Sequence, residues 1–117
     1  MDLRELVAAL LAGDLLAARQ YVADARRAEV QWEQVECPSS LTAEELSVAA
    51  AMVELLASRA GTPAPSWTNS VGAVRELLVL DPGLDRMPRS FEHAKREGPE
   101  PLRKRNMVAL PDFLDVA

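Results

Sequence analysis

Cysteine and histidine occur once each, as Cys37 and His93, and that scarcity removes most of the chemistry a small chain can carry. One thiol cannot close an intramolecular disulfide, and one His with one Cys cannot complete a four-ligand zinc site. The Asp and Glu residues are scattered over helix caps and exposed faces, so neither a metal ion nor another cofactor is expected. The glycines stand apart and never form a GxGxxG or GxxxxGK[ST] run, which excludes a phosphate-cradling loop of those kinds. Cys37 precedes Pro38 with no base nearby, and His93 lies between Glu92 and Ala94 with no Ser, Cys or second His at a supporting spacing. No enzyme is expected. Long apolar runs are missing too: Arg, Asp or Glu interrupts each one before the roughly 18 residues that a membrane span needs. The stretch MDLRELVAALLAGDLLAAR carries no basic leader ahead of its apolar run, so the expectation is a cytoplasmic protein. A net charge of −5 and a pI near 4.9 argue against bulk coating of nucleic acid, whose binding draws its affinity from neutralised phosphates.

What is abundant is alanine. Hydrophobic residues make up 49% of the 117, with only 4% aromatic, so the core should consist of closely approached helices. The expected fold is an all-α, small single-domain helical bundle over residues 1–117, with an extended or short-helical C-terminal segment. A helix hairpin is expected over about residues 2–29. Asp2 caps the first helix, Leu3, Leu6, Val7, Leu10 and Leu11 form its stripe, and Gly13-Asp14 turns and recaps. The alternative is one helix running through Gly13, since an interior glycine costs only about 1 kcal/mol. Thr42 and Glu45 form a capping box for a central helix over 42–60, which is apolar around most of its circumference and closed by Gly61. VQWEQVEC, from Val30 to Cys37, weakly suggests strand alternation, with Trp32 covering the hairpin. Ser70 is a candidate cap for a short helix facing Val71, Val74, Leu77 and Leu78 inward, and Trp67 a lid before it. Pro88 fits the first position of a helix to about Glu97, with Phe91, Ala94 and Met87 as its apolar contacts.

The C-terminal segment, about 84–117, shifts towards charge and proline. Arg103-Lys104-Arg105 is followed by Asn106, a residue that tolerates a left-handed stop, then the extended run Met107 to Leu110. A final turn carries Phe113, Leu114 and Val116. Arginine forks beside apolar anchors suit an interface, so Arg103, Lys104, Arg105, Val108, Leu110, Phe113 and Leu114 are the candidate partner-binding residues. GPEPLRKRNMVALPDFLDVA, with GDLLAARQYVADARRA and PSWTNSVG, resembles a family of small bacterial proteins encoded beside a nucleotidyltransferase-like protein, in the arrangement of a toxin–antitoxin operon. The resemblance implies an antitoxin-like partner that binds and restrains that protein. A small DNA-binding transcriptional regulator is the second reading, through Arg19, Gln20, Arg26 and Arg27 on the helix after Gly13. No oligomeric state is legible.

Overall fold

In the computed structural model, which describes residues 2–115, the Asp2 carboxylate accepts from the Arg4 backbone N–H and starts α1, Leu3–Leu11. Leu3, Leu6, Val7 and Leu10 are buried, as their spacing on one helical face requires. Gly13 then takes φ 72°, a left-handed conformation that glycine adopts without penalty, so the helix stops here. Asp14 accepts from the Ala17 N–H at 3.0 Å and opens α2, Leu15–Arg27, which packs on α1. Two helices form in place of the single-helix alternative.

The next segment departs from the weak strand expectation. Residues Trp32–Gln34 wind into a short 3-10 turn, and Trp32, 6% exposed, drops into the main core. Burial of a large indole outweighs the alternation of Val30 and Val35, which have no neighbouring strand to pair with. Thr42 and Glu45 then make both arms of the capping box, with Thr42 N–H to Glu45 Oε1 at 2.9 Å and Glu45 N–H to Thr42 Oγ1 at 3.1 Å. The helix α3, Ala43–Ala60, follows and ends at Gly61 with φ 72°. Every residue from Ser47 to Val53 is buried, and so long a run covers all sides of a helix. Neighbours therefore surround α3, and its alanines at 49, 50 and 51 allow them to come close.

The helix expected after Ser70 does not form. Ser70 donates its hydroxyl to the Trp67 carbonyl, and the chain runs on extended into strand β1, Leu78–Val79. Its backbone partners lie near the other end of the sequence: Val74 N–H donates to Arg105 O, Leu78 N–H to Asn106 O and Leu80 N–H to Val108 O. The last two bonds belong to a two-stranded parallel sheet with β2, Met107–Val108, in register Leu78 with Met107. The fold is thus mostly α-helical, with one short parallel pair added to the expected helices. Trp67 is half-buried against the core and donates its indole N–H to Val35 O at 2.8 Å, as a lid would.

Beyond the Asp81–Gly83 turn come α4, Pro88–Glu97, and α5, Glu100–Arg103. Of α4 only Ala94 is fully covered, in a small separate cluster with Leu84 and Val108, and Met87 is 53% exposed rather than packed beneath the helix. Gly98 ends α4 where a Cβ would stand 2.5 Å from the carbonyl oxygens of both Ala94 and Ala109. No side chain fits there, so glycine is what lets α4 close on the strand. Asn106 takes the left-handed φ of 65° expected of it and turns the chain into β2. Among the described residues no helix is long and apolar enough to cross a membrane.

Candidate partner-binding surface

The seven candidate residues separate into two groups. Arg105, Val108, Phe113 and Leu114 are 2%, 2%, 3% and 4% exposed, so in this conformation the chain's own core covers them. Leu110 is half-buried, and Arg103 and Lys104 remain at the surface. Val116 lies outside the described residues. The interior placement corrects the expectation that the arginine triplet and tail form one outward surface, and the reason lies on α3.

Glu54 is the residue that the sequence reading overlooked. It is the one charged side chain between Leu46 and Ala57, and a carboxylate inside an apolar helix needs a partner. Arg105 supplies a two-pronged one: its guanidinium donates to Glu54 Oε1 at 2.9 Å and Oε2 at 2.8 Å, then to Thr68 O at 2.9 Å and Pro101 O at 3.1 Å. Lys104 approaches the same carboxylate at 2.7 Å from the solvent side. Burial pushes the Glu54 carboxyl up, but hydrogen bonds from Arg105, Lys104 and Thr68 with the Arg105 charge prevail and hold its pKa at about 2. Arg105 is therefore spent on joining α5 to α3. Its Nε is the one buried side-chain nitrogen or oxygen without a partner among the described residues.

The tail is held by a second arginine. Arg59, in the last turn of α3, donates to Phe113 O at 2.6 Å and Pro111 O at 3.3 Å. Leu114 adopts φ 54°, costly for a branched side chain, and is offset by its burial in the main core. Asp81 completes the strap by accepting from the Leu110 N–H at 2.8 Å.

What faces outward in this third of the chain is cationic. Between residues 86 and 104 six exposed Lys and Arg stand in the same stretch as only three carboxylates, Glu92, Glu97 and Glu100, in a chain whose net charge is −5. Arg89, His93 and Arg96 follow helical spacing along α4 on the side away from buried Ala94, and all three are exposed. Lys95 pairs with Glu92 at 3.3 Å and lies over the Phe91 ring, whereas Arg86, Arg89 and Arg96 have no ion-pair partner among the described residues. Arg103 donates to Gly98 O at 2.6 Å with its charged end at the surface.

Among the described residues no group of three or more His, Cys, Asp and Glu could hold a metal ion. A cleft of about 470 Å³ between the C-terminal ends of α2 and α3 has an apolar floor of Val22, Trp32, Leu56 and Leu114, with Arg26, Arg59, Glu29 and Asp115 at its walls. Compared with family models, curated proteins and solved structures, the chain matches none.

Proposed function

We propose that the protein works by protein–protein contact, as an antitoxin-like partner that binds and restrains a nucleotidyltransferase-type protein encoded beside it. The observation that supports this reading most is the separation of charge: an acidic chain that gathers exposed cations on and beside α4 and α5, of which Arg86, Arg89, Arg96 and Arg103 have no ion-pair partner among the described residues. Nucleotidyltransferase-type sites hold divalent metal on clustered carboxylates. Arg89, Arg96, Arg103 and Lys104 suit the mouth of such an acidic cleft, with exposed Met87 as an apolar contact beside them. Restraint would come from occlusion of nucleotide entry.

The buried part of the triplet then serves the interface indirectly. Arg105 on Glu54 fixes α5, and Gly98 fixes the end of α4, so the cations are displayed on a stiff support. Co-expression of the two gene products tests the reading: it expects a complex that survives gel filtration and separates as ionic strength rises. Independent elution at low salt would refute it. The same cations would attract phosphates, which keeps a small DNA-binding regulator as the second reading; retention of duplex DNA at low salt would favour that one.

A further inference from the structure

We propose that the outer edge of β1 pairs with the same edge of a second copy of this chain, antiparallel, about a two-fold axis at Leu78. Leu78 and Leu80 donate their N–H groups to Asn106 O and Val108 O on the β2 side. Strand alternation therefore turns the N–H and carbonyl groups of Leu77 and Val79 towards the other edge. That edge is not walled in, since Leu77 is 48% exposed and Leu78 and Val79 are half-buried. Water satisfies such groups in a lone chain; the order of the side chains along the edge is what selects a second copy.

An axis at Leu78 sets Leu77 opposite Val79 of the second copy and Val79 opposite its Leu77, each pair exchanging both N–H···O bonds. An axis at Leu77 or at Val79 instead sets the other residue against Arg75 or Asp81, where the chain bends out of the strand. In the Leu78 register the exposed Leu77 covers the half-buried Val79 across the axis, an apolar cross-strand pair made twice. The same axis carries the start of one strand to the end of the other, bringing Arg75 beside Asp81. Arg75 has no ion-pair partner among the described residues, and Asp81 spends one carboxylate oxygen on the Leu110 N–H and keeps the other. Glu76 falls opposite Leu80 and meets no charge there. Apolar pairs at the centre and opposite charges at both ends make the edge complementary to itself, as an isologous contact requires. Pairing joins the two small sheets into one and closes the open edge of each β1.

Sedimentation equilibrium of the full chain, from micromolar to millimolar concentration, tests this. The mass should rise from 12.8 kDa towards twice that value and go no further. Leu77→Lys and Arg75→Glu, both at exposed positions, should each raise the dimer dissociation constant about tenfold with the melting curve unchanged, because the axis makes every substitution count twice. Single cysteines in a Cys37→Ser background read the register. At Leu78 the two copies form a non-hydrogen-bonded pair with Cα atoms about 4.5 Å apart, a separation that a disulfide spans. In a glutathione redox buffer Leu78→Cys should therefore oxidise to a linked dimer, whereas Arg75→Cys, whose two copies stand at opposite ends of the pair, should not link. A chain still monomeric at millimolar concentration, assembly beyond the dimer, a dimer indifferent to either Leu77→Lys or Arg75→Glu, or equal linking at 75 and 78 would overturn the proposal. The exposed-site variants keep the test decisive even where Leu78→Cys fails to fold.

Discussion

Arg105→Met removes a side chain that is 2% exposed and donates four hydrogen bonds, two of them to Glu54. Deleting one member of a buried ion pair costs about 3–5 kcal/mol, because the remaining charge is stranded. Lys104 still reaches Glu54 at 2.7 Å and is open to solvent, so the expected loss lies near the low end, about 3 kcal/mol. Against a total of about 5–15 kcal/mol for a domain, that is a large fraction, and urea unfolding reads it directly. The Arg105→Met, Glu54→Leu double variant should recover most of the loss, since neither charge then remains without its partner. The pH dependence has a definite sign. Glu54 is held at about 2 against an ordinary 4.5, so its contribution is full above the ordinary value and is lost as pH falls through the interval between them. Glu54→Gln should flatten that acid limb. A loss under about 1 kcal/mol for Arg105→Met would refute the reasoning and place the pair with exposed ion pairs.

Phe113→Ala should cost about 3–4 kcal/mol of stability, because Phe113 is buried in the main core, and thermal or urea melts will register it before any binding assay does. Gly98→Ala should destabilise by roughly 1–3 kcal/mol through its clash with two backbone oxygens, measured the same way. Thr42→Ala removes one arm of the capping box and should cost about 1 kcal/mol, visible as a lower urea midpoint with unchanged slope.

Local signals in the sequence were sufficient where the chain satisfies itself locally. The Thr42 and Glu45 pair, Gly13, Gly61 and the left-handed Asn106 each solve a problem within a few residues, and each stands where expected. The segment after Ser70 departs from its helical pattern because its backbone hydrogen bonds go to residues 105–108, and no local pattern in Val71 to Leu80 announces a partner so distant in sequence. The candidate surface divides into buried and exposed residues for a related reason. A basic triplet reads the same whether it is solvated or buried, and Arg105 points inward only because Glu54 waits on α3. That signal was available, as a lone carboxylate among apolar helix positions. Arg89 and Arg96 form no visible cluster in the sequence, since they are seven residues apart and share a side only once the helix forms.

The cationic face is the central claim, and isothermal titration of the neighbouring gene's product with an Arg89→Glu, Arg96→Glu variant tests it most directly. Both arginines are exposed and unpaired, so the variant should melt like the wild type while its affinity falls at least about tenfold and the salt dependence of binding shrinks. Wild-type affinity in a normally folded variant would contradict the account.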